Sequence, residues 1–100
     1  MIDPPAEAGQ SSRTLSLVSA PFEQELVVAT RMRDTAFKRA LKALPEGASI
    51  RLSGPFGMFT LGDTGRPAVF IAGGIGITPF MSMLRQAAEE RSPQALFLAY

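Results

Sequence analysis

Residues 72–79 constrain most strongly what this chain can fold into. They read Ala-Gly-Gly-Ile-Gly-Ile-Thr-Pro, follow an apolar run at 68–71, and precede a helical pattern that begins at Phe80. A β-branched and aromatic run, clustered glycines and a helix, in that order, predict the strand–turn–helix of a nucleotide site. Because a helix N-terminus presents unpaired N–H groups and the positive end of its dipole, an anion such as a pyrophosphate would suit this turn.

The glycine turn departs from the usual pattern at one position. Gly74, Gly76 and Pro79 stand at the three glycine positions of G-x-G-x-x-G, so a proline replaces the third glycine. Pro79 suits the first position of a helix because its missing N–H would be unpaired there, and we expect the Thr78 hydroxyl to cap the helix. A tight turn in an ordinary α/β domain has the same appearance, so other parts of the chain must separate the two interpretations.

Composition excludes several classes of function. The chain has 100 residues, one domain's worth at most, with no cysteine and no histidine. This excludes disulfides, thiol chemistry and Ser–His catalysis, and we predict no metal site. Ten basic and nine acidic residues do not favour nucleic acid as a partner. No apolar run is long enough for a membrane span, and residues 1–12 lack the features of a signal peptide, so we expect a cytoplasmic location.

The N-terminal part predicts short strands around one helix. Residues 1–12 are typical of a loop or linker. Residues 35–44 carry apolar side chains at helical spacing, with Asp34 or Thr35 as the N-cap. Four runs predict strands, at 15–19, 25–30, 49–53 and 58–61.

A polar, glycine-rich stretch at 62–67 is the candidate domain boundary. Beyond it the chain predicts a strand at 68–72, a helix from Pro79 to about Glu90, and a strand at 94–100. A single β–α–β unit cannot cover both faces of a parallel sheet, and the earlier strands leave open edges. We therefore expect a segment of a larger two-domain protein, or an unusually short reading frame.

Three further motifs could contact a cofactor. Residues 13–16 (Arg-Thr-Leu-Ser) could set a guanidinium against a phosphate, and the helix start at Thr35 could also receive a phosphate. The glycines of residues 54–57 (Gly-Pro-Phe-Gly) would let backbone approach a flat ligand. Each motif has a structural alternative: an exposed arginine beside an edge strand, a capped surface helix, and a hairpin turn.

Taken in order, these pieces resemble the ferredoxin–NADP reductase-like flavoprotein reductases, over about residues 12–100. The signatures of that family are R-x-Y-S followed by S-x-P, then G-P-x-G-x-F, then A-G-G-x-G-x-T-P. They stand here at 13–16 with 19–21, at 54–59 and at 72–79. Leu15 occupies the position where the family usually has an aromatic residue.

The resemblance implies a β plus α/β fold. A partial Greek-key flavin-binding β-barrel with one short helix would occupy residues 13–62, after a disordered or linker segment at 1–12. The first βαβ unit of a Rossmann-like NAD(P)-binding domain, truncated, would occupy 67–100. The resemblance also implies hydride transfer between NAD(P)H and FAD, with FMN as the alternative flavin. Electrons would then pass to an acceptor such as ferredoxin, flavodoxin or a partner oxygenase.

The resemblance also implies roles for individual residues. Arg13 would pair with the flavin phosphate, Ser16 would lie at the redox-active edge as the catalytic residue, and Thr35 would approach the flavin pyrophosphate. The nicotinamide dinucleotide would be held by Gly73, Gly74, Gly76, Thr78 and Pro79. Further cofactor-binding positions are Leu15, Leu17, Val18, Ser19, Gly54, Pro55 and Gly57.

Two other interpretations stay open. The chain could be a non-catalytic remnant or interaction module that retains reductase motifs, for which Leu15 is one indication. It could also be an unrelated mononucleotide-binding α/β fragment, which would require the flavin-side motifs to be coincidental. The residue that separates NADH from NADPH lies about twenty positions after the glycines of such a turn, at or beyond Tyr100, so the sequence predicts neither.

Overall fold

The computed structural model describes Ile2–Asp3 by its backbone, and residues 13–62 and 65–100 with their side chains. The described residues mix short strands with helices, which agrees with the predicted class at that level. The elements are β1 (Ile2–Asp3), α1 (Ala36–Ala43), β2 (Arg51–Leu52), β3 (Ala68–Ile71), a 3₁₀ turn (Gly74–Ile77), α2 (Thr78–Glu89) and β4 (Leu96–Ala99).

The chain divides into two compact units, each made of two stretches of sequence. The first unit combines residues up to Leu15 with Arg31–Gly57. The second unit combines Ser16–Thr30 with Met58–Tyr100. The short stretch Ser16–Thr30 therefore packs with the C-terminal part of the chain rather than with the residues on either side of it.

The first unit is built around α1. Thr35 is the N-cap, as one of the two predicted candidates, and its Oγ1 accepts a hydrogen bond from the Lys38 N–H at 3.2 Å. Phe37 lies on the inner face of the helix and is only 1% exposed, so it anchors the helix in this unit. The helix ends at Ala43, and Gly47, with a φ of +83°, turns the chain away.

A small antiparallel pair lies in the same unit. Ile2 pairs with Leu52 and Asp3 with Arg51, so β2 occupies only part of the strand predicted at 49–53. β1 falls inside the stretch whose composition predicts a linker, and the rest of that stretch, residues 1 and 4–12, lies outside the described residues. A two-residue strand gives no alternation that a sequence could reveal.

The second unit contains the predicted order of strand, helix and parallel strand. β3 and β4 pair in parallel with Ala68 opposite Leu96 and Phe70 opposite Leu98, and α2 connects them. Phe70 is 6% exposed, and its ring stacks on that of Phe80 with centroids 4.6 Å apart. The ring of Phe59 meets Phe80 edge-on at 5.6 Å. This aromatic cluster fixes the start of α2 against the sheet.

The two strands predicted at 15–19 and 25–30 form only one isolated β-bridge, and the strand predicted at 58–61 is not formed. Leu17 pairs with Val28 in an isolated antiparallel bridge, where 15–19 and 25–30 predict two strands. Residues 58–61 form no strand, and Met58 is 93% exposed. A strand is stabilised by cross-strand neighbours, and within the described residues these apolar side chains have too few of them.

Candidate functional site

The glycine turn joins β3 to α2 in the second unit. The Ala72 N–H donates to the Ala99 carbonyl at 2.9 Å, which extends the parallel ladder by one bond beyond β3. The Gly76 N–H then donates to the Gly73 carbonyl at 3.1 Å, and the 3₁₀ turn Gly74–Ile77 runs directly into α2. The start of a helix thus lies at the carboxyl end of a parallel strand, where open α/β sheets bind their ligands.

The three glycines of this turn have different structural explanations. Gly74 has a φ of +55°, a left-handed conformation that favours glycine. Gly73 has an extended φ of −131°, and Gly76 lies in the 3₁₀ turn outside the left-handed region. A Cβ atom built on either of these two would meet nothing within 4 Å. The protein backbone therefore favours glycine at position 74 but gives no reason for it at 73 or 76, where the open surface would admit a closely approaching ligand.

The expected cap of α2 is wrong. Thr78 is the first residue of the helix and is buried, while the N-cap position falls on Ile77, with no side-chain hydrogen bond. A capping hydroxyl needs extended backbone at its own residue, whereas the preceding 3₁₀ turn gives Ile77 helical angles of −68° and −20°. Pro79 is the second residue of the helix, one position later than predicted, and still lies in its first turn.

Residues 16–19, which the resemblance assigns to the flavin, also lie in the second unit. Ser16 and Leu17 are exposed, whereas Ser19 is only 4% exposed. The Ser19 hydroxyl accepts a hydrogen bond from the Val27 N–H at 2.8 Å, and the Val18 N–H donates to the Val27 carbonyl at 2.8 Å. The Ser19 side chain thus holds the local turn, and Ser16 presents its hydroxyl at the surface.

The predicted phosphate ligands lie in the first unit. The Arg13 guanidinium carbon stands 5.7 Å from the centre of the Phe37 ring, a cation–π contact. The Thr35 hydroxyl is engaged in capping α1. Asp34, which would repel a phosphate at this helix start, forms an exposed ion pair with Arg39 at 2.5 Å. That pairing reduces the negative charge beside Thr35.

The Gly-Pro-Phe-Gly turn is open to solvent. Gly54 has a φ of +137° and Gly57 a φ of +90°, so the backbone by itself explains both glycines. Pro55 is exposed, and Phe56 is 63% exposed. The positive φ values account for both glycines as turn residues, but residues 58–61 form no strand, so the turn is not the hairpin of the structural alternative. The exposed aromatic leaves a surface on which a flat ligand could lie.

Three polar side chains on α2 were not among the predicted site residues. The Ser82 hydroxyl donates to the Ser19 carbonyl at 2.7 Å. The Phe22 N–H donates to the Gln86 side-chain oxygen at 3.0 Å. We call these side chains the polar stripe of α2: Ser82, Arg85 and Gln86. Their spacing of three and four residues puts them on one helix face, which is the signal that the sequence does carry.

The third contact of the stripe is an ion pair. Arg85 donates from Nε to a Glu23 carboxylate oxygen at 2.6 Å, and the same oxygen accepts the Ala20 N–H at 3.0 Å. The hydrogen bond from Arg85, followed by that from Ala20, lowers the pKa of Glu23 below its ordinary value of 4.5. In return, the Glu23 carboxylate raises the pKa of Arg85.

The predicted site residues divide between the two units. Within the second unit, the bond between Ser82 and Ser19 joins residues 16–19 to the helix that starts at the glycine turn. Among residues 13–62 and 65–100, no group of three acidic, histidine or cysteine side chains could hold a metal. No helix in the described part of the chain is long and apolar enough to cross a membrane. The first unit holds Arg13, Leu15, Thr35, Gly54, Pro55 and Gly57; the second holds Ser16, Leu17, Val18, Ser19, Gly73, Gly74, Gly76, Thr78 and Pro79.

The chain is similar to several reductase components. Ferredoxin–NADP reductase B of Sorangium cellulosum is 37% identical over 101 residues, which cover 96% of this chain and 41% of that protein. Methane monooxygenase component C of Methylosinus trichosporium is 35% identical over 91 residues, or 88% of this chain and 27% of that protein. Vanillate O-demethylase oxidoreductase of Pseudomonas putida is 35% identical over 80 residues, which cover 76% of this chain and 25% of that protein.

No protein-family model matches the chain, and no solved structure matches it significantly. The chain spans less than half the length of the curated relatives it matches. Because the first alignment covers 96% of the chain, it includes the three motif regions at 13–21, 54–59 and 72–79. By these relatives and by the order of its motifs, the chain belongs to the ferredoxin–NADP reductase-like family.

Proposed function

We propose that the protein is an NAD(P)H-dependent flavoprotein reductase, in which hydride passes between NAD(P)H and FAD and electrons continue to a separate acceptor. The observation that carries the proposal is the pair Gly73 and Gly76. Neither glycine is required by its backbone conformation or by a neighbouring atom. Close approach of a ligand to the main chain explains both, and the family relationship makes that ligand a nicotinamide dinucleotide.

The nucleotide side of the site would be formed by the glycine turn and the first turn of α2. The early N–H groups of a helix have no partners within the helix, and its dipole favours negative charge. Gly73, Gly74 and Gly76 are exposed, so a pyrophosphate could reach the backbone at this point. Pro79 contributes by fixing the direction of the first helical turn.

The proposed flavin ligands include residues of each unit. Ser16, exposed at the surface of the second unit, is the proposed contact for the redox-active edge of the flavin. Arg13 is the proposed phosphate ligand, and the face of the Phe37 ring would orient its guanidinium through the cation–π contact. Leu15 would pack on the flavin through aliphatic contact, in place of the aromatic stacking usual in the family.

The finer architecture is part of the same proposal. Residues 13–62 would belong to a Greek-key flavin-binding barrel, and residues 67–100 would begin a Rossmann-like nucleotide domain. The parallel pairing of β3 with β4 across α2 supports the second assignment. The first assignment is supported by the family relationship alone. The cytoplasmic location stays a prediction.

A bound flavin and nicotinamide would supply the hydride chemistry. The chain has no histidine to act as a general base, and this reaction needs none. The residues of the chain would bind the two cofactors, hold them in register and shield them from water. The names of the relatives support ferredoxin or an oxygenase as the class of acceptor. FAD rather than FMN is the flavin that we propose, on the resemblance of the motifs alone.

The proposal is tested by cofactor binding to the full-length gene product. We expect FAD to bind with quenching of its fluorescence, and NADH or NADPH to raise the melting temperature of the FAD-loaded protein. A ligand at a hundred times its dissociation constant adds about 2.7 kcal/mol to stability. A protein that binds no flavin would contradict the proposal. Flavin binding without any response to either nucleotide would instead favour a non-catalytic module that retains reductase motifs.

A further inference from the structure

The segment 19–23 is attached to α2 at three points. Ser82 donates to the carbonyl of Ser19, and Gln86 accepts from the N–H of Phe22. Arg85 forms an ion pair with Glu23, whose carboxylate also accepts from a backbone N–H of the same segment. Both partners of every contact lie in the second unit.

The Ser82 contact differs from an ordinary surface pair, whereas the Gln86 and Arg85 contacts are exposed. Ser19 is 4% exposed and its carbonyl is the acceptor for Ser82, so the first contact lies at a buried residue. The contacts link residues more than sixty positions apart in the chain. The opposite, apolar side of α2 packs on the sheet through Phe80, which stacks on Phe70. The helix is therefore fixed on one side by the sheet and bound on the other side to the segment 19–23.

We propose that the polar stripe of α2 sets the distance between the nicotinamide at the glycine turn and the flavin along residues 16–19. This inference rests on the proposed function. Ser82 lies four residues after Thr78, a rise of about 6 Å along the helix from the nucleotide turn. Because a helix is stiff, a contact from Ser82 to Ser19 transfers the position of the glycine turn to the flavin-side segment. Ser82, Arg85 and Gln86 are thus positioning residues, without contact to either cofactor.

Positioning has a kinetic consequence distinct from binding. Reacting atoms must approach to about 3–3.5 Å, and a displacement of about 1 Å can reduce the rate on the order of a hundredfold. The residues that hold each cofactor are untouched when the stripe is removed. Loss of the stripe should therefore slow hydride transfer while leaving the affinity for each cofactor in place.

The test uses the FAD-loaded full-length gene product and a double variant, Ser82→Ala with Arg85→Gln. Anaerobic stopped-flow measurement should show hydride transfer slowed at least tenfold, with the dissociation constants of FAD and NAD(P)H within about twofold of the native values. The single variant Ser82→Thr, which keeps the hydroxyl and leaves Arg85 unchanged, should retain most of the native rate. Arg91→Gln, which removes the same charge from an exposed position just after α2, is the matched control and should leave the rate unchanged.

The outcomes separate this inference from the proposed function. A native protein that NAD(P)H does not reduce would overturn both. A native protein that is reduced, with a double variant as fast as the native one, would overturn only the positioning role. A double variant that loses FAD affinity in proportion to its rate would assign the stripe a binding or folding role and would equally overturn it. The single variant Ser82→Ala repeats the comparison with the ion pair intact.

Discussion

Replacing Gly76 by alanine should raise the stability of the protein and weaken its binding of NAD(P)H. The added Cβ meets no atom within 4 Å, and the backbone at this position is not left-handed. A Gly→Ala change at a compatible position stabilises by about 0.4–1 kcal/mol, since it restricts the unfolded chain. For a domain of this size, that corresponds to a rise in melting temperature of about 2–8 °C.

The effect on the nucleotide has the opposite sign. If the pyrophosphate packs against the backbone at Gly76, a methyl group there must displace it from the N–H groups of the turn. We expect the dissociation constant of the nucleotide to rise at least tenfold, which is a loss of about 1.4 kcal/mol or more of binding free energy. Stability and affinity would then change in opposite directions, which an unspecific structural defect does not produce.

The assay pairs thermal denaturation without ligand with equilibrium binding of NADH and NADPH. Gly47→Ala is the matched control, because Gly47 has a φ of +83° and lies in the first unit. Alanine in that conformation costs about 1–2 kcal/mol, so the control should lose stability and keep its nucleotide affinity. Unchanged affinity in Gly76→Ala would refute a ligand at this surface, and a lower melting temperature would refute the turn geometry.

Two further predictions concern the second unit. Phe70→Ala removes a side chain that is 6% exposed and stacked on Phe80, so urea unfolding should show the free energy of unfolding lowered by about 3–5 kcal/mol. Met58→Ala, at a 93% exposed site, should lower it by less than about 0.5 kcal/mol. The pKa of Glu23 is lowered in the folded protein, so the stabilisation from its pairing with Arg85 is complete above about pH 4.5 and is lost as the pH falls through the lowered pKa. Glu23→Gln should flatten the acid limb of a plot of melting temperature against pH, and an unchanged limb would contradict the pairing.

Much of the second unit could be predicted from local sequence. The apolar run at β3, the glycines after it and the helical spacing from Phe80 onward each specify their own element within a few residues. The cap of α1 was also accessible, because Thr35 directly precedes an apolar period. The exposure of residues 54–57 and the positive φ values there follow from the same local turn chemistry.

The features that were missed depend on distant partners or on backbone detail. Residues 15–19 and 58–61 have strand composition, but a strand forms only where another strand pairs with it, and sequence alternation does not name that partner. The cap expected at Thr78 failed because a 3₁₀ turn carries helical geometry back to Ile77. The contacts of the polar stripe join residues more than sixty positions apart, so only folding brings them together.

The central claim is tested most directly by anaerobic reduction. The full-length gene product, loaded with FAD, is mixed with NADH and separately with NADPH while the absorbance of the oxidised flavin is followed. The account predicts that at least one nucleotide bleaches the flavin rapidly, with one nucleotide oxidised for each flavin reduced. A protein-bound flavin that stays oxidised with both nucleotides would contradict it.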